Sequence, residues 1–124
     1  MYKIAFSFLI TSLLLCSCGD AKQENNLADA AISKADNPVY QEGLQLVAKS
    51  DCLGCHKIGE AAIGPSYKAI AAKYADNPEN VNMLAGKIIN GGVGVWGQVP
   101  MSAHPVLTEA DAKKMVQYIL LLKK

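Results

Sequence analysis

Arginine is absent from the 124-residue chain: all 12 basic side chains are lysines, set against 11 acidic ones. A nucleic-acid surface wants a basic stripe with phosphate-matching guanidinium groups, so that class is disfavoured. Long apolar runs are also lacking. The longest, Ile4 to Leu15, is 12 residues and too short to span a bilayer comfortably. Convincing period-two alternation is missing, which argues against a sheet-built fold. Ligating residues are scarce as well, with two histidines and four cysteines, so any metal chemistry has few places to sit.

Two of those cysteines decide the reading. Cys52-Leu53-Gly54-Cys55-His56 puts two thiols three residues apart with an imidazole directly after the second, the pattern of covalent haem attachment. Thiols at i and i+3 share one face of a helical turn and can both add to the vinyl groups along one porphyrin edge. His56 is then carried beneath the ring, its Nε2 free to bind iron while Nδ1–H seeks an acceptor that fixes the ring's orientation. Two other chemistries compete for these five residues. A tetrahedral zinc site needs four ligands in closed spacing, and only Cys16, Cys18 and a distant His104 remain. A thioredoxin-type dithiol should open a helix within a βαβ unit, for which no convincing strand exists.

The N-terminus reads as targeting information. Lys3 supplies a short positive region and Ile4 to Leu15 an apolar one, ending in Leu15-Cys16-Ser17-Cys18-Gly19, which resembles the lipobox of bacterial lipoproteins. Cys18 fits the modified position better than Cys16, whose preceding Leu15 is bulky where a small residue is wanted. Residues 1–17 are therefore expected to be a lipoprotein signal peptide, and lipidated Cys18 an anchor on the periplasmic side of a bacterial membrane. An ordinary secretory leader cut near Gly19, giving a soluble periplasmic protein, or an uncleaved apolar anchor is the alternative. Loss of Lys3 with the leader leaves 11 lysines level with the 11 acidic residues, so long-range steering by net charge is not indicated.

Residues 18–36 are polar and alanine-rich, with too little apolar content for a core, and read as a tether; a loose helix over Leu27 to Ala35 would only stiffen it. The folded domain spans 37–124 and is small enough to need help from its haem, so the haem-free chain is expected to fold poorly. Four helices follow from caps and periodicity. Asn37-Pro38 opens the first, with Tyr40, Leu44 and Val47 in one stripe. The second covers about Ser66 to Ala75. The third starts at Asn77-Pro78 and stops at Gly91. The fourth starts at Thr108, with Asp111 completing an approximate capping box, and ends near Lys123 and Lys124. Gly43, costly inside the first helix, implies a close crossing with an aromatic such as Tyr118 or with a backbone, or else a tolerated surface glycine. The class is all-α.

The second face of the iron has four candidate ligands: Met83, Met101, Met115 and His104. Met83 and Met115 fall within helices, where packing is their default. Met101 ends a glycine- and proline-shaped loop from Gly91 to Pro100, 45 residues after His56, with ample chain to cross the ring. Met101 is the expected sixth ligand, with His104 or an open iron as the remaining choices.

At this point the chain resembles the short bacterial class I cytochromes c. The likeness runs through Cys52-Leu53-Gly54-Cys55-His56, Ile63-Gly64-Pro65-Ser66-Tyr67-Lys68, Ile89-Asn90-Gly91-Gly92 and Gly94-Val95-Trp96-Gly97-Gln98-Val99-Pro100-Met101, and covers nearly the whole domain. It implies a small cytochrome c fold, about four helices around one covalent haem c. It further implies that the Pro65 carbonyl accepts from His56 Nδ1–H, that Trp96 donates toward a haem propionate, that Asn90 approaches the Met101 sulfur, and that Gly43 meets Tyr118. Ser102-Ala103-His104 departs from the family, which often has prolines after its methionine.

A histidine and a thioether close both faces of the iron, which favours single-electron transfer, Fe(III)/Fe(II), over substrate chemistry. The expectation is a monomeric electron carrier without turnover of its own, docking briefly on a quinol–cytochrome c oxidoreductase, a terminal oxidase or a periplasmic reductase. A gas-binding or sensor haem domain with a displaceable sixth ligand is the alternative. A di-haem peroxidase is excluded by the single C-x-x-C-H.

Overall fold

The structure, a computed structural model, describes residues 34 and 36–123. The expected leader, Cys16, Cys18, nearly all of the tether and Lys124 lie outside the described residues. Among the described residues no helix is long and apolar enough to cross a membrane.

Each helix begins where the sequence supplies a cap. Helix α1 (Pro38–Lys49) is opened by Asn37, whose side-chain oxygen accepts from Val39 N at 2.9 Å and from Tyr40 N at 3.4 Å. A 3₁₀ turn, Asp51–Gly54, follows at once. Helix α2 (Tyr67–Lys73) is capped by Ser66, which accepts from Ala69 N at 3.1 Å. Helix α3 (Pro78–Asn90) is capped by Asn77, which accepts from Asn80 N at 2.9 Å. In helix α4 (Glu109–Leu120), Thr108 Oγ1 accepts from Asp111 N at 3.1 Å and donates to the Asp111 carboxylate at 2.8 Å.

The ends are less regular than the starts. Helix α2 stops at Lys73 because Tyr74 is already extended, φ −112° and ψ 136°. Helix α4 stops at Leu120, short of the expected lysines: Leu122 N and Lys123 N donate three residues back, to Ile119 O and Leu120 O, which tightens the last turn. Gly91 ends α3 with φ 75°, and a Cβ there would lie 2.6 Å from the Met101 carbonyl oxygen, so both backbone geometry and space demand glycine.

One element was not foreseen. Strands β1 (Gly92–Gly94) and β2 (Gly97–Met101) pair antiparallel, with Gly92 opposite Met101 and Gly94 opposite Gly97. The hairpin tip is Val95-Trp96, and the flanking Gly94 and Gly97 take φ 101° and 115° to close it. Its side chains are nearly all exposed, so it lacks the in–out alternation that marks a strand in sequence. The all-α class stands with this two-stranded ribbon added.

The core is built on α4, which packs against α1, α2 and α3. Met115, Val116, Tyr118, Ile119 and Leu120 of α4 are buried, together with Val47 of α1 and Val81, Ala85 and Ile88 of α3. Where α1 crosses α4, a Cβ on Gly43 would overlap the Lys114 carbonyl oxygen and the Tyr118 Cβ. The Tyr40 ring meets Tyr118 edge-on, 5.0 Å between centroids.

Candidate haem site

A single open cavity gathers the chemically distinctive residues. Its lining comes from the turn carrying Cys52, Cys55 and His56, from Ile63-Gly64-Pro65, from α3, from the hairpin through Met101, and from Met115, Val116 and Ile119 of α4. Cys55 N and His56 N both donate to the Cys52 carbonyl, at 3.2 and 2.9 Å, so the turn winds tightly and sets both sulfurs along the cavity. Both cysteines are free, Cys52 half-buried and Cys55 exposed. Burial pushes the Cys52 thiol above its ordinary pKa, a sign of the apolar setting.

His56 is fixed in one tautomer by its surroundings. Its Nδ1 lies 2.7 Å from the Pro65 carbonyl oxygen, which can only accept, so Nδ1 carries the hydrogen and Nε2 keeps its lone pair. The Tyr67 ring stacks on the imidazole, 5.6 Å between centroids and 15° from parallel. The loop between them is held by Gly64 N to Cys55 O at 2.9 Å and Tyr67 N to Lys57 O at 2.9 Å. Gly64 is required here, since a Cβ would stand 2.6 Å from His56 Cε1. Burial raises the Tyr67 phenol far above its usual pKa, so this ring presents a neutral hydroxyl near Cys52.

Met101, at the end of β2, is half-buried and lines the same cavity as His56. Trp96 at the hairpin tip lines it too, with its ring about half exposed. Asn90 does not join them: it is an exposed residue at the end of α3 and no part of the lining. Helix period explains its exposure, because Ile88 faces inward and a residue two further on is turned about 200° away.

Two participants and one pairing escaped the sequence reading. Lys73 Nζ lies 5.4 Å from the Trp96 ring centroid, a cation–π contact. Lys87 lines the cavity beside Gly92 and supplies a cation there; its place three residues after Leu84, on the apolar side of α3, was the available signal. His104, in the sequence an alternative sixth ligand, is half-buried, and its Nε2 lies 3.1 Å from Asp51 Oδ1. No sequence pattern marks a pair 53 residues apart.

The lining fits a haem. Ile63, Val93, Val95 and Val99 are each more than half exposed although all four point into this cavity, so the protein leaves a large apolar surface for an apolar occupant. Two thiols stand ready for thioether bonds, an imidazole and a thioether for iron, and Lys87 for the negative propionates.

Known proteins agree with that chemistry. The family profile described as Cytochrome c matches residues 40–123. Cytochrome c-552 of Nitrosomonas europaea is 45% identical over 83 residues, covering 67% of this chain and 81% of that protein. Cytochrome c-552 of Hydrogenobacter thermophilus is 46% identical over 79 residues, 64% of this chain and 80% of that one. The crystal structure of the wild-type Nitrosomonas protein superposes with a TM-score of 0.60, at 45% identity, over 64% of this chain and 99% of that one. A haem-attachment turn, a helical cage left open on its apolar side and relatives along the whole domain converge on one assignment: the chain belongs to the cytochrome c family, as a small class I electron carrier with one covalent haem c.

Proposed function

We propose that this cytochrome holds its haem iron between His56 Nε2 and the Met101 sulfur, and serves as a carrier that turns over no substrate of its own. The observation that carries the reading is the 2.7 Å contact from His56 Nδ1 to the Pro65 carbonyl, in a cavity that Met101 also lines. The bound haem supplies a one-electron Fe(III)/Fe(II) couple. The chain does the rest. Pro65 and the stacked Tyr67 hold the imidazole's orientation, so little rearrangement accompanies a change of charge. A thioether favours the reduced state relative to a second imidazole and raises the potential. With His56 and Met101 both holding the iron, no ligand position would be left for substrate. Trp96 and Lys87 serve the propionates, and Cys52 and Cys55 the vinyl edge.

Its redox partners belong to the quinol–cytochrome c oxidoreductase, terminal oxidase or periplasmic reductase classes, met through small, short-lived interfaces. The lipobox-like Leu15-Cys16-Ser17-Cys18 supports an exported protein held on the periplasmic side by a lipid on Cys18, with the polar residues 18–36 as tether. Redox titration with visible spectra tests the ligands. The native ferric protein is expected to show the methionine–iron charge-transfer band, and Met101→Ala to lose it and lower the potential while keeping covalent haem. An unchanged titration in that variant would refute the assignment. Cys18→Ala is expected to move the protein from the membrane to the soluble fraction; continued sedimentation with membranes would require another anchor.

A further inference from the structure

The segment after Met101 carries no proline at its first three positions, yet one residue in it is pinned from several sides. Among residues 102–106, Ser102, Ala103, Pro105 and Val106 are exposed, and His104 alone is half-buried. Its backbone N–H donates to the carbonyls of Ile88 and Ile89, at 3.0 and 3.1 Å, which ties the segment to the end of α3. Its ring reaches further: Nδ1 lies 3.3 Å from the Ile88 carbonyl oxygen, and Nε2 donates to Asp51 Oδ1 at 3.1 Å. Asp51 directly precedes Cys52 and opens the 3₁₀ turn of the haem-attachment motif. One hydrogen bond therefore joins the residue before the first haem cysteine to the third residue after Met101.

We propose that His104 is a positioning residue for Met101, a side-chain clasp to Asp51 that sets how readily the methionine leaves the iron. The proposal rests on Met101 being the sixth ligand. When the sulfur swings away together with the segment behind it, that segment lifts from α3 and from the attachment turn, which breaks the His104–Asp51 bond. The bond thus adds to the free energy of opening without touching the iron. It takes over the stiffening that a proline would otherwise provide, since Ser102 and Ala103 restrict the backbone little. Asp51 is 84% exposed, so the clasp costs little desolvation and its loss disturbs no core packing.

Imidazole added to the ferric holoprotein reads the opening directly, because it binds only where the methionine has left. The comparison needs the native protein, His104→Ala, Asp51→Ala, the double variant and His104→Gln, whose amide can still donate. Loss of the methionine–iron band during the titration gives the apparent affinity. Each alanine variant is expected to bind imidazole about fivefold more tightly, the upper size of a solvent-exposed charged pair. The double variant is expected to match the singles instead of multiplying them, and His104→Gln to fall within about twofold of native. Native affinity in Asp51→Ala, an exposed position that leaves the fold intact, overturns the clasp, as do additive alanine effects or a glutamine variant that behaves as alanine. A native ferric protein with no methionine–iron band at all overturns the ligand assignment and the clasp with it, whereas an intact band with unmoved affinities overturns the clasp alone.

Discussion

The α1–α4 crossing and the haem cavity are opposite solutions to the same small size. At the crossing, Gly43 lets the Lys114 carbonyl and Tyr118 in so closely that no methyl group would fit, and the protein fills its own space. At the cavity, Ile63, Val93, Val95 and Val99 stay largely exposed to a space that no side chain fills. The first region is complete from sequence alone. The second is half of an interface whose other half is a cofactor, so the stability of the domain and the presence of haem are one question.

Removing the anchor should break that comparison most severely. Cys52→Ala combined with Cys55→Ala is expected to abolish covalent haem and leave a chain that folds poorly, read as lost Soret absorption after denaturing extraction and lost helical circular dichroism. Retained helix content in the haem-free double variant would show that the packed half stands by itself.

Two glycines sharpen it further. Gly43→Ala forces backbone against backbone and is expected to cost about 3 kcal/mol in denaturant unfolding while leaving the potential and the ferric spectrum untouched. Gly64→Ala pushes instead on His56, whose ring is held by Pro65 and Tyr67. It is expected to cost less, about 1–2 kcal/mol, yet to shift the potential and the spectrum. Equal spectral effects from both would erase the distinction between a packing site and a ligand site.

Much of this was legible in the chain because the signals are local. Asn37, Ser66, Asn77 and Thr108 all cap helices, and each acts within three residues of itself. The attachment motif is contained in five residues, and the position of Met101 follows from a loop whose glycines exclude helix. The misses are of two kinds. Gly92 to Met101 pairs as a ribbon only because positive-φ glycines close its tip, and no buried face imposes an alternating pattern. The other kind is long-range: His104 meets Asp51 across 53 residues of chain. Periodicity can place a residue on a helix face, but only the fold brings that pair together.

The most direct test is exposure of the reduced native protein to carbon monoxide at neutral pH. Iron sealed by His56 and Met101 is expected to leave the visible spectrum essentially unchanged over minutes. Rapid formation of a carbonyl complex would mean an accessible iron, and would replace the electron carrier with a gas-binding haem protein.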